Sequence, residues 1–189
     1  GQIRNSNEPM LCGCVTSSGG IALPLGVCRD DAEKLDRAIS DGLRCDILCL
    51  SGGVSAGDKD LVPPAPKRAG VREVFHKVNL KPGKPIWFGG RDDKDGRRCY
   101  VFGLPGNPVS SLVCFELFVR HAIERLQGAA VSWRVSLPAK LMAGVRLQGE
   151  RPVYHPARLK PVDASQAPGQ LPEVEVLNWQ GSSDLRGVA

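Results

Sequence analysis

A chain of 189 residues is long enough to bury one sizeable α/β core with a small appendage, so we expect more than one domain. Its 25 basic and 20 acidic side chains are spread along the chain, and the resulting net charge of +5 favours a small anionic substrate over a nucleic acid. No apolar run approaches the ~20 residues that a membrane span needs. The first residues also lack a basic-then-apolar signal sequence, so the predicted location is the cytoplasm.

The cysteines indicate an intracellular redox environment. There are 7 of them, none in a Cys-x-x-Cys pair, and most lie inside apolar runs. Buried free thiols are therefore predicted rather than disulfides or zinc ligands.

The first quarter of the chain reads as alternating helices and strands. A capped helix is predicted from about Asn5 to Ser18, a strand over Ile21–Val27, a helix over Asp30–Gly42 and a buried strand over Asp46–Leu50. Strands separated by helices of this length indicate βαβ units, and hence a parallel sheet with helices on both faces.

The segment Ser51–Asp60, with sequence SGGVSAGDKD, follows that buried strand. Its three glycines permit a sharp turn, and a turn of this kind can aim several N–H groups at an anion. The carboxylates of Asp58 and Asp60 could hold a divalent metal beside that anion. A tight βα turn with aspartate as a helix cap is the alternative interpretation.

The next stretch is rich in proline and then in strands. Pro63, Pro64 and Pro66 predict a helix that is short or starts late. Strands are expected over 72–78, 85–89 and 99–102, with an exposed turn at 92–96.

Lys81–Pro85, with sequence KPGKP, fixes two lysines on one proline-stiffened turn. Lys81 and Lys84 would suit a multiply charged anion as point-charge ligands. A solvated basic loop is the plainer reading of this motif taken alone.

A second Gly/Pro turn, within Phe102–Ser111, precedes a long amphipathic helix over 108–127. Asn107 is a suitable N-cap and Pro108 fits the first helical position, which leaves N–H groups that could face a phosphate. The apolar face of the helix is predicted to be core rather than a cofactor site, and Glu116 is expected to pair with Arg120 at i+4.

After Gly128 the pattern changes to short alternating segments at 132–137, 153–159 and 173–177, separated by Gly/Pro-rich turns. This pattern predicts a small β domain. The predicted domains are therefore 1–128 (α/β) and 129–189 (β).

SGGVSAGDKD, KPGKP and FGLPGNPVSS occur in this order and at close spacing, and here the chain resembles the MoeA family of molybdopterin molybdenumtransferases, which includes the gephyrin E domain. The resemblance extends from Gly1–Asn7 into Arg151–Pro156. It implies the MogA-like molybdopterin-binding fold, a mostly parallel sheet with helices on both faces, followed by a small, incomplete β-barrel. It also implies a fragment trimmed at both ends, and a homodimer for the full-length protein.

The resemblance further implies a reaction in which molybdate is inserted into adenylated molybdopterin and AMP is released. Ser55 and Asp60 match positions around the metal and substrate, Asp58 is placed to bind Mg²⁺, and Lys81 with Lys84 matches the paired cations that orient the anion. The implied substrate cradle comprises Ser51, Gly52, Gly53, Gly57, Pro105, Gly106, Asn107, Pro108 and Ser110.

Three other functions remain open from the sequence. A MogA-like adenylyltransferase would use a similar glycine-rich turn to join AMP to molybdopterin, although KPGKP argues against it. A scaffold or dimerisation domain would bind partners without catalysis, and a generic nucleotide-binding domain would bind AMP but ignore molybdate. The resemblance also implies an adenylyltransferase of the MogA kind as a partner.

Overall fold

The computed structural model describes residues 5–28, 31–54, 63–130, 136–146, 149–160, 171–179 and 181–185. The helices are α1 (Asn7–Ser17), α2 (Ala32–Gly42), α3 (Pro64–Arg68), α4 (Pro108–Cys114) and α5 (Arg120–Leu126). The strands are β1 (Ile47–Ser51), β2 (Arg72–His76), β3 (Trp87–Asp92), β4 (Arg98–Leu104), β5 (Lys140–Leu141), β6 (Ala157–Leu159) and β7 (Glu173–Val176).

The larger sheet has the strand order β1-β4-β3-β2 and is mixed. Its β1–β4 pair is parallel, whereas β3 runs antiparallel to both β4 and β2. The expectation of a mostly parallel sheet was therefore wrong for the described strands. The reason lies in the connections: β2, β3 and β4 are joined by turns too short to hold the crossover that a parallel pair requires.

Helices cover both faces of this sheet, as predicted. Because successive strand residues point to opposite faces, β4 sends Val101 to one side and Phe102 to the other. The first core cluster lies under α2 and α3, and the second lies under α4, α5 and the segment between them. Trp87 and Phe115 are the largest fully buried side chains of the two clusters.

The predicted strand over residues 21–27 does not form. The segment carries no regular structure, and Ile21 is 89% exposed while Val27 is 60% exposed. Pro24 removes one of the N–H donors that a β ladder would use. Alternation of apolar residues was therefore insufficient here, since among the described residues the segment has no strand partner.

The helix predicted over residues 108–127 is one helical run in three parts. Between α4 and α5 lies a π-helical segment, Phe115–Val119. The expected Glu116–Arg120 pair is present, with two contacts of 2.7 and 2.9 Å between guanidinium and carboxylate. The short helix predicted in the proline-rich segment is α3, with Pro64 at its first position.

The C-terminal part forms a three-stranded sheet of order β5-β7-β6 within the described residues. An additional bridge joins Val153 to Lys81, so the C-terminal part contacts the KPGKP turn (Lys81–Pro85) directly. All seven cysteines are free thiols. Within the described ranges, every helix is too short or too polar to cross a bilayer.

Candidate functional site

Two turns meet at one edge of the larger sheet. The β1 turn (Ser51–Gly53) follows β1 and the β4 turn (Pro105–Asn107) follows β4; because the two strands are parallel neighbours, both turns lie at the same edge. The N–H of Gly52 donates to the carbonyl of Leu104 at 2.9 Å. A Cβ placed on Gly106 would lie 3.4 Å from the Cα of Gly52, so the two backbones run in near contact.

The β1 turn depends on glycine. Gly52 and Gly53 have φ values of +91° and +63°, a region that side-chain-bearing residues rarely adopt. The absence of side chains also leaves the backbone open to close approach by a ligand. This is the sharp glycine turn that the sequence predicts after the buried strand.

Asn7, predicted only as part of a helix start, joins the two turns. Asn7 donates from Nδ2 to Ser51 Oγ at 2.7 Å and to the carbonyl of Gly106 at 2.8 Å. The partners lie 44 and 99 residues away along the chain, so no local sequence signal could have revealed these bonds.

The KPGKP turn packs against α4 through its glycine. Gly83 has a φ of +115°, and a Cβ there would lie 2.7 Å from Cys114 Sγ. The Cys114 thiol donates to the carbonyl of Gly83 at 3.5 Å, and burial raises the pKa of Cys114 to about 12, which keeps it a neutral donor. Both lysines of the turn are exposed, and neither has an ion-pair partner in the part of the chain that the structure describes.

The backbone of Lys81 is held by the C-terminal part. Its N–H donates to the carbonyl of Pro152 at 2.9 Å, and its carbonyl accepts from the N–H of Tyr154 at 2.8 Å. These two bonds fix the main chain at the start of the turn while the ammonium group stays in solvent.

The start of α4 is also occupied by the C-terminal part. Pro108 is the first helical residue and Asn107 precedes it, as predicted, but the Asn107 amide donates to Ser182 Oγ at 2.8 Å instead of capping the helix. The N–H of Val109 donates to the Ser182 carbonyl at 3.0 Å, so this donor is not free for a phosphate. Ser110 is only 5% exposed.

Comparison with known proteins identifies this arrangement. The model of the family described as "Probable molybdopterin binding domain" matches residues 1–125. The chain belongs to that family.

The named relatives of this chain agree with one another. Gephyrin of Dictyostelium discoideum is 36% identical over 183 residues, covering 82% of this chain and 25% of that protein. A molybdopterin molybdenumtransferase of Staphylococcus aureus is 34% identical over 146 residues, covering 75% of this chain and 33% of that enzyme. The chain therefore spans a quarter to a third of these relatives and is MoeA-like.

A solved structure extends the likeness to the fold. The crystal structure of a molybdopterin biosynthesis MoeA protein from Pyrococcus horikosii matches with a TM-score of 0.72 at 28% identity, covering 99% of this chain and 42% of that one. The match covers both the larger sheet and the C-terminal part of this chain.

Four of the predicted site residues, Ser55, Gly57, Asp58 and Asp60, lie outside the described residues. The Mg²⁺ site that we assigned to Asp58 and Asp60 therefore stays a prediction. Elsewhere in the described ranges, no group of three or more His, Cys, Asp or Glu side chains is arranged to hold a metal ion.

Proposed function

We propose that this chain supplies the anion-binding centre of a molybdopterin molybdenumtransferase, which inserts molybdate into adenylated molybdopterin and releases AMP. One observation carries the proposal: two glycine-containing turns lie in near contact at the carboxyl ends of parallel strands, the position where open α/β sheets bind ligands. The molybdopterin molybdenumtransferases among the relatives support the choice of substrate.

The proposed reaction needs electrostatic stabilisation of oxyanions rather than a nucleophilic side chain. Exchange of ligands on molybdate and hydrolysis of a phosphoanhydride both need cationic and N–H groups that stabilise oxyanions. The exposed ammonium groups of Lys81 and Lys84 would provide the positive charge. The N–H of Gly53 in the β1 turn would provide a backbone donor, since the N–H of Gly52 is bonded to the Leu104 carbonyl. Cys114, whose thiol contacts the KPGKP turn, is neutral and buried, so it is no candidate nucleophile.

Asp58 and Asp60 would hold Mg²⁺ in this proposal, and the ion would neutralise charge on the diphosphate. The proposal also includes a homodimer, a cytoplasmic location and an adenylyltransferase partner of the MogA kind. In this view β5, β6 and β7 belong to a small β-barrel that is incomplete in this chain.

Calorimetry with adenylated molybdopterin, with and without molybdate, tests the function. The variant Lys81→Ala/Lys84→Ala removes both cations of the KPGKP turn. The matched control is Lys34→Ala/Lys94→Ala, which removes the same charge from exposed positions, one on α2 and one in the turn before β4 at the opposite edge of the sheet. We expect the first variant to lose roughly 1.5–3 kcal/mol of molybdate-dependent binding per lysine, as charged contacts do, and the control to bind like wild type.

Equal binding by the two variants would show that Lys81 and Lys84 do not bind the anion. Pyrophosphate release from ATP, without molybdate insertion, would instead assign the chain to the MogA-like adenylyltransferases. If the wild-type chain binds nothing, the titration is repeated with the full-length protein, and failure there would refute the function.

A further inference from the structure

Asn7 links three separate parts of the fold at the candidate site. It is the first residue of α1, and its amide bonds to the β1 turn through Ser51 Oγ and to the β4 turn through the Gly106 carbonyl. Gly106 O can only accept a hydrogen bond, so this contact also fixes which end of the Asn7 amide is the nitrogen.

The helix that carries Asn7 is firmly placed. Leu11, Cys14 and Val15 of α1 pack against the buried cluster under α4 and α5. The Asn7 side chain therefore extends from an anchored helix and holds the two turns in a fixed relation to it. Without Asn7, the remaining described side-chain link between the turns is the Ser51 Oγ contact to Pro105 O, which is long at 3.5 Å.

The bonds of Asn7 are not part of helix capping. Ser6 is the N-cap residue and makes no side-chain cap bond, whereas Asn5 Oδ1 accepts from the N–H of Glu8 in the first turn at 3.2 Å. The Oδ1 of Asn7 is buried and has no hydrogen-bond partner among the described residues. An unpaired buried acceptor is unfavourable. The amide nevertheless keeps this orientation, because it allows the two donor bonds to the turns.

We propose that Asn7 is a positioning residue for the anion-binding site: it holds the β1 and β4 turns at the spacing that the substrate requires. This inference rests on the proposed function, because the spacing matters only if the turns bind a ligand. In this proposal the glycines and lysines contact the substrate, whereas Asn7 touches no reacting atom and acts through Ser51 and Gly106.

The test uses Asn7→Ala, with Asn7→Asp as a second variant that keeps the side-chain shape but removes both N–H donors. Asn5→Ala is the matched control, since it weakens the start of the same helix without touching either turn. Two quantities are measured on folded protein: amide hydrogen exchange at Gly52, and calorimetric affinity for adenylated molybdopterin. The N–H of Tyr100, which donates to Asp46 O at the far end of β1, is the internal reference for exchange.

We expect both Asn7 variants to speed exchange at Gly52 by about tenfold with Tyr100 unchanged, and to weaken binding by about tenfold, equivalent to about 1.4 kcal/mol. Asn5→Ala should lower thermal stability yet shift both readouts by less than about twofold. Unchanged exchange at Gly52, or faster exchange with wild-type affinity, would overturn the inference. If neither this chain nor the full-length protein binds, the proposed function fails, and exchange alone decides whether Asn7 holds the turns.

Discussion

Replacing Gly83 with alanine measures how tightly the KPGKP turn is packed against α4. At a φ of +115° the new side chain is strained, which costs about 1–3 kcal/mol. Its Cβ would also lie 2.7 Å from Cys114 Sγ and 2.8 Å from Leu80 Cδ1, and overpacking of this kind costs about 1–3 kcal/mol more. Gly83→Ala should therefore lower the free energy of unfolding by roughly 2–6 kcal/mol, or Tm by at least roughly 4–8 °C.

The variant Gly96→Ala separates the cost of backbone strain from the cost of overpacking. Gly96 has a φ of +79° in an exposed turn, and a Cβ there meets nothing within 4 Å, so only the backbone cost remains. Urea unfolding should show the Gly96 variant losing about 1–2 kcal/mol, clearly less than the Gly83 variant. Equal losses would refute the view that packing against Cys114 fixes the turn.

Two further predictions concern protonation. Hydrogen bonds from Lys67 and the buried Trp87 lower the pKa of Glu73 below its usual range, so the stability it contributes is complete above the unfolded-state pKa and is lost as pH falls through the folded-state pKa. The stability difference between wild type and Glu73→Gln in urea unfolding should therefore shrink from about pH 7 to about pH 3.5, and a difference independent of pH would contradict this. Iodoacetamide at about pH 8 should modify the partly exposed Cys12 in the native protein but reach Cys114 only on unfolding, because burial raises the pKa of Cys114 to about 12. Similar native-state rates by peptide mass spectrometry would disprove it.

Local chemistry explains which parts of the fold could be predicted. The apolar runs at β1 and β4 each end in a glycine turn, and both strands are where the sequence places them. The direction of β3 was missed because the two-residue period of a strand is the same in parallel and antiparallel sheets. The strand predicted over residues 21–27 was wrong for a related reason, since strand formation depends on a partner that the pattern cannot show.

The candidate site divides in the same way. The Ser51–Gly53 turn and Pro108 were predictable because glycine and proline encode backbone geometry locally. Asn7 and Ser182 were not, since their roles arise from contacts 99 and 75 residues distant in the chain. Turn chemistry can be read from neighbouring residues, whereas the links that bring turns together require the folded chain.

The hydrogen bonds around Lys81 bear on how such proteins could be recombined. The main chain of this lysine is paired with residues 152–154, and Ser182 accepts the N–H of Val109 at the start of α4. A chimera that exchanged the C-terminal sheet between relatives would need to keep the backbone hydrogen bonds at Lys81 and at Val109. Otherwise Lys81 would shift and the start of α4 would be exposed. The C-terminal part therefore helps to shape the site and is not an interchangeable attachment.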